Sequence, residues 1–506
     1  MKTFLLMSGL FCLATLPALA ADSVRKPNVL FIAIDDLNDW IGCMKGHPQA
    51  LTPNMDRLAE QGILFSNAHC AAPVCLASRT AVFSGRRPEK TGVYSNWGET
   101  QGKPPASDLQ LPLHFSAAGY KTLGAGKLYH ANATRYFDEY FTTEQRWSPF
   151  TQEQARYTPE ELPSKGTDRP RHVLKNGPGH RDWVLPLHGL VSERHLDVPE
   201  GDSFDWGPAD VADEEMGDAR ITTWVMERLQ TGGAQPWFMG VGYYRPHIPL
   251  FAPKQDFDRL PPVEKIELPA VIEDDLSDLG KQAKSIALEA LTAGTHAHVV
   301  KHDQWRQAVR AYLACITFVD RQIGRLIKQL EESGTADNTW IILWSDHGWQ
   351  LGEKQHWGKW TGWRQSTRVP LIMVPPRSQS ATRGRVCMEP ASLLDLYPTL
   401  IELCGLPPKD GLSGVSLVPW LNKPDFTEDR AVVTTFDPDN LALSTRDWRY
   451  IRYSGGDEEL YDLSNDPHEW RNLAREETRH GKLEEMRARL DLEMQPAARV
   501  RGTNSK

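Results

Sequence analysis

The sequence predicts an α/β fold, a large mixed, mostly parallel sheet flanked by helices, with a small C-terminal α+β subdomain. Three observations carry that reading. Continuous apolar runs, Asn28 to Ile34 (NVLFIAI) and Thr339 to Trp344 (TWIILW), suit strands buried on both faces of a parallel sheet. Such runs alternate with segments of helical periodicity, the pattern that successive crossover units produce. From about Ala431 the pattern changes to short strands and a closing helix. The 506 residues suit one large domain plus a smaller one.

Each element follows in order. Lys2, the apolar run Phe4 to Leu16 and Pro17-Ala18-Leu19-Ala20 read as a cleavable signal peptide over residues 1–20. The run is too short to span a bilayer, and the bulky Phe11 before Cys12 does not suit a lipoprotein site. A secreted or periplasmic location is expected, and no later segment is long and apolar enough to cross a membrane. The strand at Asn28 to Ile34 ends at Asp35-Asp36. Thr52 as N-cap and Pro53 in the first turn open a helix that Gly62 closes. A short strand at Ile63 to Phe65 comes next. A helix at Leu113 to Ala118 leads through Gly119 to a strand at Lys121 to Ala125. A helix at Ile221 to Leu229 precedes a strand at Trp237 to Tyr243. The longest helix, Asp303 to Glu332, carries Val309, Leu313, Ile316, Val319, Ile323, Leu326 and Leu330 as one apolar stripe. Strands at Thr339 to Trp344 and Val369 to Val374 and a helix at Ser392 to Leu403 follow. The main domain is expected over 21–430, with a polar, Pro- and His-rich insertion over about 131–210. The subdomain is expected over 431–506, with a strand at Trp448 to Tyr453 and a helix near Glu476 to Leu490.

The net charge of −9 argues against general nucleic-acid binding and against bulk attraction of an anion, so any anion site must be built from local cations. Of seven cysteines, Cys12 leaves with the signal and the other six form no C-x-x-C pair. Taken alone, Cys75 fits a buried small hydrophobe or half a disulfide. Ligands of open α/β sheets bind beyond the carboxyl ends of strands. Two such ends carry Asp35-Asp36 and Asp346-His347. Either pair alone fits a turn or a cap. Together, their three carboxylates would repel unless a cation neutralised them, and oxygen ligands favour hard ions.

At Cys75-Leu76-Ala77-Ser78-Arg79 the sequence resembles the C-x-[PA]-S-R signature of type I, formylglycine-dependent sulfatases of the alkaline-phosphatase superfamily. Gly119 to His130 (GYKTLGAGKLYH) resembles the family's second signature. The opening Asp-Asp strand, the helix TPNMDRLAEQG, the Asp346-His347-Gly348 turn and Leu460-Tyr461-Asp462-Leu463 with Asp466-Pro467 follow in the family's order. His347, Arg245 to Pro249 (RPHIP) and Gly126 to His130 (GKLYH) resemble the iduronate-2-sulfatase branch.

The resemblance implies an alkaline-phosphatase-like catalytic domain and a sulfuric ester hydrolase. It implies that Cys75 is oxidised to formylglycine by a formylglycine-generating enzyme or maturase, with Ser78 and Arg79 read by that partner. One hydroxyl of the hydrated aldehyde would attack sulfur, and deprotonation of the other would release sulfate. A helix over Ser78 to Phe83, N-terminus towards Cys75, would favour the negative charge. By position, Asp35, Asp36, Asp346 and His347, with residue 75, match the ligands of Ca²⁺, or of Mg²⁺. His347 stands where many sulfatases have Asn, and nitrogen is a less usual donor to Ca²⁺. Arg79, Lys127, His130, His247 and Lys359 match the remaining catalytic positions. Lys127 and Lys359 would hold sulfate, and His247 would protonate the leaving oxygen or hold sulfate. Arg245, Lys354, His356 and Arg364 are weaker candidates for substrate contact, with solvated surface the better reading of Lys354 and Arg364. The substrate implied is a sulfated sugar, glycan or glycosaminoglycan, such as a 2-O-sulfated uronate. Because the acidic net charge offers no broad positive surface, recognition is expected in a pocket around Cys75 that takes chain ends, with Arg245 or residues from 131–210 reading the sugar. A phosphonate or phosphate ester hydrolase and a catalytically inactive glycan-binding relative are the alternatives.

Overall fold

The computed structural model describes residues 25–96, 110–130, 133–143, 173–175, 182–184, 205–231, 235–290, 294–379 and 382–495. The expected signal peptide and most of the expected insertion lie outside these residues.

The main sheet has eight strands: β1 (Asn28–Asp35), β2 (Ile63–Phe65), β3 (Lys121–Gly126), β4 (Glu139–Phe141), β5 (Trp237–Pro246), β6 (Thr339–Ser345), β7 (Leu371–Val374) and β8 (Arg385–Cys387). Their order is β8-β2-β7-β6-β1-β5-β3-β4. Only β7 runs against its neighbours, so the sheet is mixed and mostly parallel as expected. The apolar run in β1 has a direct cause. Leu30, Ile32 and Ile34 enter the core on one face, while Val29, Phe31 and Ala33 enter the other. A strand covered on both sides has no polar face to show.

Helices α1 (Pro53–Gln61), α2 (Cys75–Ser84), α3 (Leu111–Ala117), α4 (Gly217–Thr231), α5 (Trp305–Glu332) and α6 (Leu396–Cys404) flank the sheet. The stripe of α5 is fully buried from Val309 to Leu330. Each such side chain contributes roughly 1.5–3 kcal/mol when removed from water. The expected N-cap of α1 is replaced. The Thr52 hydroxyl donates to Asp56 at 3.2 Å, and Asp320 on α5 accepts the backbone N–H groups of Asn54 and Met55 at 3.1 and 2.8 Å. A carboxylate from another helix thus serves the orphan donors.

Two further expectations are corrected. Val369 to Val374 is not one strand: it breaks at Pro370, which has no N–H for a ladder. Arg368–Val369 pairs instead with Ala68–His69. The two ends of the segment read as an insertion belong to the body of the domain. Glu139–Phe141 is the edge strand β4, and Trp206–Ala209 pairs with Leu250–Pro253. Strands of three or four residues leave too little alternation to be read.

The C-terminal sheet is an antiparallel meander of β9 (Val432–Asp437), β10 (Asn440–Ser444), β11 (Trp448–Arg452) and β12 (Glu458–Asp462). One face packs on α7 (His480–Met494) through Leu443, Tyr450, Leu460, Leu483 and Leu490. The other packs Phe436, Ala442, Ile451 and Tyr461 against Trp363 and Ala283 of the main domain. Among the described residues no helix is long and apolar enough to cross a membrane.

Candidate active site

Register builds the site. Ile34 of β1 pairs with Ser345 of β6, so Asp35 and Asp346 leave adjacent parallel strands at the same level. On the other side β1 meets β5, whose last residue Pro246 precedes His247, and β5 meets β3, whose last residue Gly126 precedes Lys127. Four neighbouring carboxyl ends therefore deliver Asp346-His347, Asp35-Asp36, His247 and Lys127 to one place. The crossing of β3 and β5 needs two glycines. Gly126 has φ +72°, and a Cβ there would lie 2.0 Å from the Gly242 carbonyl oxygen, while a Cβ on Gly242 would lie 2.2 Å from the Lys127 carbonyl.

Cys75 is the first residue of α2, a helix whose ten residues are all buried. Its helix begins three residues earlier than expected. Val74 offers no side-chain cap; Asn96 accepts the Leu76 N–H at 2.9 Å instead. Cys75 is a free thiol, as are the five other described cysteines, so the half-disulfide reading falls. Its Sγ lies 3.1 Å from Lys359 Nζ, 3.3 Å from His347 Nε2 and 3.6 Å from Lys127 Nζ.

Three buried carboxylates, Asp35, Asp36 and Asp346, face three buried cations. Arg79 donates Nε to Asp346 Oδ2 at 2.8 Å and Nη2 to Asp35 Oδ1 at 3.0 Å. Lys127 Nζ pairs with Asp35, and Lys359 Nζ donates to Asp36 Oδ1 at 2.8 Å. The Ser78 hydroxyl donates to the Asp346 carbonyl at 2.6 Å. Burial alone would raise Asp35, but Lys127 and Arg79 overcome it and hold the carboxyl well below its usual range. Asp36 moves the other way, up to about 7: burial leads, opposed by Lys359, with Asp35 and Cys75 adding to the rise. The two neighbours are thus unequal, the second lacking an arginine.

Asp36 adopts φ +62°, a conformation that aspartate tolerates better than most residues. Its N–H donates to Asp346 Oδ1 at 3.1 Å and its carbonyl accepts the Tyr312 hydroxyl at 2.7 Å. Its Oδ2 is buried and makes no hydrogen bond. A buried carboxylate oxygen without a donor is costly, and a cation removes the cost. Ligand atoms of Asp35, Asp36, Cys75 and His347 lie within 4.8 Å of one another. Asp346 Oδ2 is 3.6 Å from His347 Nε2. His347 Nδ1 donates to the Gly348 carbonyl at 3.0 Å, which leaves the neutral ring's Nε2 lone pair facing the carboxylates. This donor set fits a hard divalent ion with one nitrogen ligand.

His247 follows the same tautomer logic. Nδ1 donates to the Ile248 carbonyl at 2.6 Å, and Nε2 stands 3.8 Å from Asp36 Oδ2. Burial, then Lys127 and Lys359, hold the ring well below its usual pKa. His130 is exposed, three residues beyond the buried Lys127 in the chain.

The weaker candidates do not join this cluster. Arg245 is buried; its Nε donates to the Phe251 carbonyl at 2.8 Å and its backbone N–H to Asp218 at 2.9 Å. It braces the turn that carries His247. His356 is buried with both ring nitrogens on backbone carbonyls, of Ala287 and Lys359, each at 3.0 Å. Lys354 is not solvated surface: it is buried and pairs with Asp275 at 2.6 Å. Arg364 is half-buried and donates to the Pro467 carbonyl at 3.1 Å. Asn96, Tyr312 and Asp218 support the site and carry no sequence signal, because each acts through a distant backbone group.

A sulfatase family model matches residues 27–406, and a model of the N-sulphoglucosamine sulphohydrolase C-terminal region matches 352–496. A Formosa agariphila protein described as a sulfatase is 34% identical over 473 residues, covering 92% of this chain and 87% of its own. Human iduronate 2-sulfatase is 31% identical over 420 residues, covering 76% and 70%. Among solved structures, a 2-O GAG sulfatase superposes with a TM-score of 0.67 at 22% identity, covering 92% and 91%. A phosphonate monoester hydrolase of Agrobacterium radiobacter superposes with 0.72 at 21% identity, covering 92% and 95%.

Proposed function

The chain belongs to the sulfatase family of sulfuric ester hydrolases, and from that premise we propose that it removes sulfate from sugars, using a formylglycine made from Cys75 and one hard divalent ion, Ca²⁺ before Mg²⁺. The observation that carries the reading is the placement of Cys75. It is a buried thiol at a helix N-terminus, touched by two lysines and by the lone pair of a histidine.

Oxidised and hydrated, residue 75 supplies one hydroxyl to attack sulfur and a second whose deprotonation expels sulfate and restores the aldehyde. Asp35, Asp36, Asp346 and His347 would hold the cation, which would supply Lewis-acid charge when bound. The chain's own groups do the rest. Lys127 and Lys359 hold sulfate oxygens on either side of residue 75. Arg79 helps keep Asp35 ionised and fixes both Asp35 and Asp346 in place. His247 is neutral beside two lysines, with its proton on Nδ1. The sulfate ester's negative charge raises its pKa, so that Nε2 takes up a proton as substrate binds and passes it to the leaving oxygen. His130, at the exposed rim, contacts the sulfate from outside and is the second candidate for proton transfer.

The substrate class is proposed from the relatives' own descriptions and from the burial of the site. Iduronate 2-sulfatase and a 2-O GAG sulfatase favour a 2-O-sulfated uronate or a similar sugar. Cys75, Lys127 and Lys359 lie at or below 3% exposure, which suits a chain end entering a pocket. Export through residues 1–20 and maturation by a formylglycine-generating enzyme or maturase belong to the same reading. A paired assay of aryl sulfate against aryl phosphate and phosphonate esters, followed by defined sulfated disaccharides, tests it. Sulfate esters should be favoured by at least about 100-fold. Preference for phosphorus would install the phosphonate hydrolase reading. Cleavage of neither class by matured protein would install the inactive glycan-binding one.

The acid role gives a separate expectation. General acid catalysis contributes about 10²–10⁴-fold where the leaving group is poor. His247→Ala should therefore lose at least about 100-fold on a sugar sulfate and under about tenfold on an activated aryl sulfate. Equal losses on both would move the role to His130.

A further inference from the structure

We infer that Arg449, Glu459 and Glu469 of the C-terminal subdomain are positioning residues for sulfate ester hydrolysis: they clamp residues 362–367, and through them hold Lys359 and the His347-Gly348 turn. The inference rests on the reading of Lys359 as a sulfate-binding residue.

All three side chains are almost completely buried. Glu459, on β12, accepts the indole N–H of Trp363 at 2.8 Å through Oε2, which also accepts the Tyr461 hydroxyl at 2.6 Å; Oε1 accepts the Tyr453 hydroxyl at 2.7 Å. Arg449, on β11, donates to the Gly362 carbonyl and to the Thr367 hydroxyl, the latter at 2.8 Å. Glu469 accepts the Arg364 backbone N–H at 2.8 Å and lies 3.7 Å from Arg449 Nε. Three charges from one subdomain therefore grip four residues of a six-residue stretch in the other.

That stretch touches the site at both ends. Three residues before it stands Lys359, whose ammonium bridges Asp36 and Cys75. At its far end the Ser366 carbonyl accepts the Gly348 N–H at 2.8 Å, and a Cβ on Gly348 would lie 2.0 Å from the Gln365 carbonyl oxygen. The His347-Gly348 turn is thus pressed against the clamped backbone. A second grip reinforces the first. The Thr434 hydroxyl donates to the Cys70 carbonyl at 2.6 Å and the Thr435 N–H to the Ala71 carbonyl at 2.9 Å, just ahead of Cys75.

Stability alone does not account for charges in this place. A buried ion pair roughly breaks even against apolar side chains of the same volume. What charged groups supply and apolar ones cannot is direction, since each bond fixes a backbone atom at a defined distance and angle. A displacement of about 1 Å in a positioning element costs up to about 100-fold in rate.

The test uses full-length matured enzyme carrying Glu459→Gln or Trp363→Phe. The second variant removes the indole donor and leaves a smaller buried aromatic ring without touching Glu459, so it gives an independent route if the first variant does not fold. For each, kcat and KM on an aryl sulfate, the inhibition constant of inorganic sulfate and Tm are measured well below the melting range, beside Lys359→Ala. The expected result is an inhibition constant raised about tenfold and kcat lowered about tenfold. Variants with a lower Tm but kcat and sulfate inhibition within about twofold of the parent would overturn the clamp, if Lys359→Ala weakens sulfate. If Lys359→Ala leaves sulfate inhibition unchanged, the sulfate role of Lys359 fails and the clamp falls with it.

Discussion

Replacement of Cys75 by Ala is expected to lower kcat/KM by at least about 10⁴-fold on any sulfate ester, the scale seen when a nucleophile is removed from a unit that works together. The fold should survive. Cys75 is a small buried side chain at the first position of α2, and alanine fills that position without strain and with better helix propensity. The loss is therefore chemical, and an unchanged Tm beside a lost rate is the signature to look for. Wild-type protein made without a maturation partner should behave like this variant. Peptide mass spectrometry of active enzyme should find an aldehyde or its hydrate at residue 75. Active enzyme whose residue 75 is entirely an alkylatable thiol would falsify the proposed chemistry.

Asp36→Asn is expected to release the divalent ion and to lower activity by at least about 100-fold. The substitution keeps the size of the side chain and suits φ +62°, where asparagine is as tolerant as aspartate. It removes the charge whose Oδ2 has no hydrogen-bond donor. Loss of a group that merely orients a ligand costs about 10–100-fold in metal affinity, and loss of a ligand costs at least the upper end. Elemental analysis gives metal per chain. Chelation of the parent, followed by return of Ca²⁺ or Mg²⁺, identifies the ion. Full activity in metal-free parent enzyme would remove the cation from the mechanism.

The sheet and the clustering of its strand ends were legible because both are written locally. A strand covered on two faces must be apolar at consecutive positions, as NVLFIAI and TWIILW are. A parallel sheet then brings carboxyl ends together, so polar ligand types placed directly after such runs converge. Glu139–Phe141 is not legible because three residues carry no period, and the apolar character of Val369 to Val374 masks the break that Pro370 makes in the ladder. The same gap separates the stronger site residues from the weaker ones. Asp35 ends a strand, and Asp36, Asp346, Lys127 and His247 each directly follow one. Arg245, Lys354 and His356 differ from a substrate-contacting residue only in what surrounds them.

The chain alone carried the α/β class, the family resemblance, the place of Cys75 in its signature and the residue types offered to a metal. Those properties depend on periodicity and on neighbours in the chain. Only the tertiary structure decided which polar groups face which. It turned Lys354 from surface to a buried partner of Asp275, spent both ring nitrogens of His356 on carbonyls, and drew the cap of α1 from Asp320. It also separated the two adjacent aspartates, one held ionised by Lys127 and Arg79, the other raised to about 7. The reason is physical: a charge in a low-dielectric interior is governed by the few groups within several ångströms. In this chain those groups come from residues far apart in sequence: Asp35 and Lys127 are 92 positions apart, Asp36 and Lys359 are 323.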